Sequence, residues 1–284
     1  MFRLYYSLTK PGIIYGNLLT AAGGFLLAST GRINYWLFLA TLAGVSLVIA
    51  SACVCNNYID REIDKKMART KQRALVNGLI SDRSAIIYAS CLGVAGVVVL
   101  AVYTNLLTVC IGLVAFFFYV VLYGVAKRHS VHGTLVGSIP GAAPVVAGYC
   151  AVTDRFDGGA FIVFLILVTW QMAHFYAIAI YRFDDYKAAG LPVMPVKKGL
   201  QTTKIQMLLY ISIFIIATSA LTVFHYTEYA YLIVMLLLGI AWLYLCLQGF
   251  KTSDSQRWAR NMFLISLVVV LVLSIMLSIG ARLP

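Results

Sequence analysis

Apolar stretches of about 20 residues, the length that crosses a bilayer as a helix, recur from end to end of the chain with short polar connections between them. Nine such stretches are predicted: Ile13 to Ala28, Trp36 to Cys55, Ser84 to Thr104, Leu106 to Ala126, Gly133 to Val152, Gly159 to Tyr181, Lys204 to Phe224, Tyr229 to Gln248 and Asn261 to Gly280. None shows the strict alternation of a half-buried strand. Backbone groups facing lipid must be satisfied within their own segment, which leaves helices as the economical choice. The pattern therefore predicts an all-α, polytopic membrane protein with nine transmembrane helices, and residues 1–284 form a single domain because no polar stretch is long enough to fold apart.

Composition supports this reading. With 62% hydrophobic and 11% charged residues, and a mean hydropathy of +0.90, the chain cannot cover a soluble surface with polar groups. The charges then orient it. Placing the N-terminus inside gathers 19 of the 22 Lys and Arg residues on one side and leaves only Arg32, Arg155 and Arg282 opposite. The positive-inside rule predicts a multi-pass protein with the N-terminus cytoplasmic and the C-terminus outside, and a bacterial-type inner membrane is its expected location. The net charge of +12 is explained by that topology, by anionic headgroups and by an anionic substrate, and no nucleic-acid motif is present. The first span is followed at once by another and lacks a small-residue cleavage site, so it does not read as a signal peptide. The six cysteines read as small buried apolar groups, because Cys53 and Cys55 have the wrong spacing for a redox pair.

The connections on the inner side carry the chemistry. Asn56-Asn57-Tyr58-Ile59-Asp60-Arg61-Glu62-Ile63-Asp64 sets amides and carboxylates at the mouth of the second span, and Asn56, Asp60 and Asp64 recur every fourth residue, which aligns them on one helix face. Such oxygens suit magnesium, which binds through one or two carboxylates and shares substrate phosphates. Arg69, Lys71 and Arg73 follow as counter-charge for a phosphate group. The connection after the sixth span offers Asp184 and Asp185, then Lys197 and Lys198. The two connections are expected to close on one ligand at a central cavity opening to the cytoplasmic side. In the fifth span, Gly137, Gly141, Ala142, Pro144 and Gly148 allow close helix contact or a break in the helix next to a cavity.

The run Asn56 to Asp64, followed by Met67-Ala68-Arg69-Thr70-Lys71-Gln72-Arg73, resembles the first signature of the intramembrane prenyltransferase superfamily. Thr9-Lys10-Pro11-Gly12, Lys127-Arg128-His129, Gly141-Ala142-Ala143-Pro144, Trp170-Gln171-Met172-Ala173-His174-Phe175 and the Asp185 to Pro195 loop are similar to its heme-farnesylating branch, and the likeness covers nearly the whole chain. The resemblance implies transfer of the farnesyl group of farnesyl diphosphate to a vinyl group of protoheme IX, giving heme O and diphosphate with the help of Mg2+. It implies Asn57, Asp60 and Asp64 as metal ligands, and these with Asp185 as the catalytic set. Asn56, Arg69, Arg73, Lys197 and Lys198 would hold the diphosphate, and His174, Lys127 and Arg128 the heme. Asn57 stands where many members carry Asp, which makes it a neutral ligand or a water positioner. The residues four beyond Asp184 and Asp185 are Ala188 and Ala189, so a second fully acidic cluster is not expected, and Asp184 reads as a surface charge.

His174, inside the sixth span, has two readings: contact with the porphyrin, including ligation of its iron, or a hydrogen bond between helices. His129 and His132 read as neighbours of headgroups or heme propionates. Expected partners are the two substrates, the lipid bilayer, and heme-handling or terminal oxidase assembly proteins; no nucleic acid is expected. Two alternatives stand beside this reading. One is prenyl transfer to a quinone precursor. The other is a non-enzymatic transporter, disfavoured because the polar groups lie on one side rather than at mid-membrane.

Overall fold

The computed structural model describes residues 1–280, so Arg282 lies outside the described residues. A short α1 (Phe2–Leu8) precedes α2 (Pro11–Ser29), α3 (Tyr35–Asp64), α4 (Asp82–Tyr103) and α5 (Leu106–Phe117). One π-helical turn, Phe118–Leu122, joins α5 to α6 (Tyr123–His129). Then come α7 (Gly133–Thr153), α8 (Gly158–Tyr181), α9 (Phe183–Ala188), α10 (Met194–Val223), α11 (Tyr229–Gln248) and α12 (Ser255–Ile279). Counting α5, the π turn and α6 as one, nine helices among the described residues are long and apolar enough to cross a membrane.

Every predicted span is present; most ends shift by a few residues at most, and three shift further. The second runs past Cys55 to Asp64, the seventh starts at Met194 rather than Lys204, and the ninth starts at Ser255 rather than Asn261. Apolarity marks only the part of a helix that meets lipid, whereas backbone hydrogen bonding carries the helix on into the polar interface. Gly199, with φ +84, breaks α10 between its first turns and its membrane-spanning part. Several helix starts are capped by side chains: Asn34, Ser81, Asn105, Asp157 and Asp254 each accept a backbone N–H from the first turn. Each such cap contributes about 1 kcal/mol.

Helix α2 packs on α7, α3 and α12; α8 packs on α7, α10 and α12; α3 packs on α4. Within lipid, helices associate by close fit rather than by escape from water, and small residues allow it. Gly24 sits against the Val145 carbonyl and Gly148 against the Ala21 carbonyl, so α2 and α7 meet nearly backbone to backbone. Of the two outcomes open for the fifth span, the structure shows close contact. Pro140 and Pro144 lie inside α7 without ending it. Because the spans alternate in direction, the ends of α3, α6 and α8 emerge on the same side as α1.

Candidate active site

The last turns of α3 bring four polar side chains under cover: Asn56, Asn57, Asp60 and Asp64 are all buried, at 4%, 3%, 8% and 5% exposure. Buried charges need partners, and each one here has them. Lys127 Nζ, from α6, donates to Asp60 Oδ2. Arg128 Nη2 donates to Asp60 Oδ1 at 3.1 Å and to the Ile59 carbonyl at 2.7 Å. Arg73 Nη1 donates to Asp64 Oδ2 at 2.6 Å and to Asn57 Oδ1 at 3.1 Å. The Thr70 hydroxyl donates to the Asp64 carbonyl at 2.9 Å and holds the connection after α3 against the helix end.

The N-terminus closes the same group from the other side. Asn57 Nδ2 donates to the Leu8 carbonyl at 2.8 Å, and Lys10 Nζ donates to Asn56 Oδ1 at 2.8 Å. Lys10 lies at the α1–α2 junction with φ +53, a left-handed conformation that costs a non-glycine residue about 1–2 kcal/mol. Burial pushes its ammonium down to about 8; Cys53 and Asp60 oppose that shift, and Arg73 and Lys127 add to it.

The second inner connection approaches through Tyr186. Burial raises this phenol, while the charge of Arg69 draws it down and Asp185 raises it again, which places Arg69 and Asp185 beside the same side chain. The charges of Asp60 on α3 and of Arg69 in the connection after it both act on Tyr123, as does Tyr186 of the second connection. Tyr119 stacks on Tyr123 with ring centres 5.6 Å apart, and Lys127 Nζ stands 4.9 Å from the Tyr123 ring centre. The π turn between α5 and α6 inserts extra backbone between those elements and shifts the face that Tyr123, Lys127 and Arg128 present.

Not every predicted site residue joins this group. Lys197 and Lys198 are exposed near the start of α10 and make no hydrogen bond or ion pair with the α3 carboxylates. Asp184 is exposed and accepts from Gln256 Nε2 at 3.3 Å, away from the acids. Arg69 is exposed and Asp185 half-buried. The structure puts Lys127 and Arg128, expected on heme, on Asp60 instead, and it adds Lys10, Tyr123 and Tyr186, which the sequence reading did not assign. Lys10 and Lys127 did carry a signal: each is a cation at the inner end of a span, level with the acids. His174 is buried at 8% exposure between α8 and α12, its Nδ1 2.7 Å from Ser266 Oγ and its ring stacked on Trp170 at 4.7 Å. The interhelical hydrogen bond is therefore present. His129 and His132 are exposed.

Among the described residues no three His, Cys, Asp or Glu side chains gather to hold a metal by themselves. Two buried carboxylates and an amide oxygen nevertheless match what Mg2+ takes from a protein when water and phosphate complete its shell. Arg128 Nε is buried without a partner, a donor left over for an anionic oxygen.

An all-helical membrane bundle with oxygen donors and cations at one rim is the arrangement of an intramembrane prenyltransferase, and the chain belongs to the UbiA prenyltransferase family, whose pattern matches residues 17–268. More particularly, it is 54% identical over 280 residues to the protoheme IX farnesyltransferase of Edwardsiella ictaluri (strain 93-146), covering 98% of this chain and 95% of that one. Among solved structures, a digeranylgeranylglyceryl phosphate synthase shares the fold with a TM-score of 0.80 at 18% identity, over 98% of both chains. A UbiA homolog from Archaeoglobus fulgidus, bound to DMAPP and Mg2+, shares it with a TM-score of 0.71 at 17% identity, over 97% of this chain and 99% of that one.

Proposed function

We propose that the protein joins the farnesyl group of farnesyl diphosphate to a vinyl group of protoheme IX, with one water adding as hydroxyl to the side-chain cation so formed and its proton leaving with the diphosphate, giving heme O. The observation that carries this reading is the 54% identity to a protoheme IX farnesyltransferase over 98% of the chain. The rim chemistry supports it. Breaking the allylic carbon–oxygen bond leaves negative charge on the diphosphate, so groups held against those oxygens stabilise the transition state more than the ground state.

The cations that now neutralise the acids are the groups a diphosphate needs. Arg73, Lys127 and Arg128, ion-paired to Asp64 and Asp60, turn to phosphate oxygens when the carboxylates are engaged elsewhere. Mg2+, when bound, would be held by Asn57, Asp60 and Asp64 and would neutralise charge on the leaving oxygens. Arg69 meets the diphosphate from the exposed side and Asn56 is held in place by Lys10, while Lys197 and Lys198, exposed at the start of α10, stay outside the group. Asp185 and Tyr186 close the site next to Arg69. The faces of Tyr119 and Tyr123 shelter the allylic cation from water and attract it electrostatically. Lys127 and Arg128 thus serve the diphosphate rather than the heme, and His174 serves the heme.

The charged rim faces the cytoplasm in this reading, with the N-terminus on that side, in the inner membrane of a bacterial cell. Heme-handling proteins or terminal oxidase assembly factors would deliver the acceptor and take the product. The test is to incubate the detergent-solubilised chain with heme, farnesyl diphosphate and Mg2+ and to extract the heme for mass spectrometry. The expected result is a heme carrying one hydroxyethylfarnesyl group. Unmodified heme, alongside prenylation of a quinone precursor in a parallel incubation, would move the acceptor to the quinone class.

A further inference from the structure

Hydrogen accounting around Ser266 decides which nitrogen of His174 carries the proton. The Ser266 hydroxyl has a single hydrogen, and its oxygen lies 2.6 Å from the Phe263 carbonyl, which accepts that hydrogen. His174 Nδ1 stands 2.7 Å from the same oxygen. With the serine hydrogen already given away, Nδ1 must be the donor in that contact. The proton of the neutral imidazole is therefore on Nδ1, and Nε2 keeps its lone pair.

Among the described residues nothing uses that lone pair. No hydrogen bond from them reaches Nε2, and Nε2 is not among the buried polar atoms sealed off without a partner, so it keeps some accessible surface. The ring cannot easily turn to hide it. Trp170 stacks on the imidazole at 4.7 Å and 20°, and its own Nε1 donates to the Ser266 carbonyl at 2.8 Å, which ties ring, indole and serine into one unit. Phe263 and Phe175 flank the imidazole at 5.2 Å and 5.3 Å. A histidine held through Nδ1–H, with Nε2 free in apolar surroundings, is the form that imidazole takes as a metal ligand, where the second hydrogen bond fixes tautomer and orientation. His174 lies seven residues before the end of α8, about 10 Å below the rim at 1.5 Å per residue. A lipophilic, planar iron porphyrin fits that depth, and a hydrated ion does not.

We infer that Ser266 is a positioning residue for heme: by accepting from Nδ1 it presents His174 Nε2 to the iron of the acceptor porphyrin. This rests on the proposed heme farnesylation and adds to it the atom that binds and the residue that aims it. The experiment titrates ferric heme into the full-length protein in detergent, without farnesyl diphosphate, and records absorption and electron paramagnetic resonance spectra with the melting temperature of each variant. Ser266→Ala should weaken heme binding roughly 10- to 100-fold, the usual cost of losing such a supporting bond, and should alter the spectrum, while the KM for farnesyl diphosphate holds. Ser266→Thr, which keeps the hydroxyl, should restore both. His174→Ala should lose the axial imidazole signature and regain it with added imidazole, a readout that stands even if Ser266→Ala folds poorly. Wild-type spectra and affinity in both alanine variants, with heme still bound and farnesylated, would overturn this inference alone. Failure of the wild type to bind heme at all would instead overturn the proposed function.

Discussion

Asp60 accepts from Lys127 and Arg128, and Asp64 from Arg73, so each carboxylate of α3 depends on cations from other parts of the chain. Removing one member leaves the other buried and uncompensated, which costs about 3–5 kcal/mol where burial is deep. Asp60→Ala should therefore abolish prenyl transfer and lower the melting temperature together, whereas Asp60→Asn should abolish transfer with a smaller loss of stability, since the amide still accepts. Turnover and melting measured on the same preparations check this, and normal turnover in Asp60→Ala would remove Asp60 from the site. Lys10 gives a pH dependence. Its folded pKa of about 8 lies below the ordinary 10.5 because burial disfavours the charge, so the unfolded chain binds the extra proton between those values. Stability contributed by this residue then rises as pH climbs from about 8 toward 10.5, and below about 8 the full cost of a buried ammonium is present. Relative to Lys10→Met, the wild type should gain melting temperature across that window; a constant difference between the two would show that Lys10 titrates normally. The sequence made the acids legible through their four-residue spacing. Their counter-ions were not legible, because a lysine at a helix end carries no record of which helix it faces.

At the scale of elements, α2 and α7 are joined by glycines whose neighbours are backbone carbonyls. A Cβ at Gly148 meets the Ala21 carbonyl, and one at Gly24 meets the Val145 carbonyl. A carbonyl in a helix cannot swing aside as a side chain does, so the helices must part. Gly148→Ala should cost about 1–3 kcal/mol, and a larger residue more. Gly12→Ala, where a Cβ meets nothing within 4 Å, is the control expected to be near neutral in the same thermal melts. The small-residue content of the fifth span was plain in the sequence, but whether it meant contact or a break was not, since both use the same residues. The π turn of Phe118–Leu122 was invisible for a related reason: its composition is that of any membrane helix, and only the register demanded by Lys127 and Arg128 against Asp60 sets it apart.

Across the whole molecule, the polar chemistry stands at one rim and the described residues at the opposite ends of the spans carry few cations, Arg32 and Arg155 among them. That asymmetry predicts an orientation that can be measured. In intact cells, an engineered single cysteine at Asp154, in the α7–α8 connection, should react with a membrane-impermeant maleimide, and one at Lys71 should react only after the inner membrane is opened. The reverse pattern would invert the proposed topology and put the diphosphate site outside. Helix α8 ties the two ends of this arrangement together, because it packs on α7, α10 and α12 and carries His174 on the way to the Asp185 connection.

The sequence by itself determined the number of spans, the helical class, the side on which charge collects and the acid pair of α3. Each follows from a local cost: apolar length to cross lipid, backbone hydrogen bonds satisfied within a helix, charges kept out of the bilayer. The tertiary structure alone decided the partners. Lys127 and Asp60 are 67 residues apart, and His174 and Ser266 are 92 apart. Such pairs depend on the rotation and register of packed helices, which small residues, one π turn and a left-handed lysine at the α1–α2 junction set together, and no single segment encodes them.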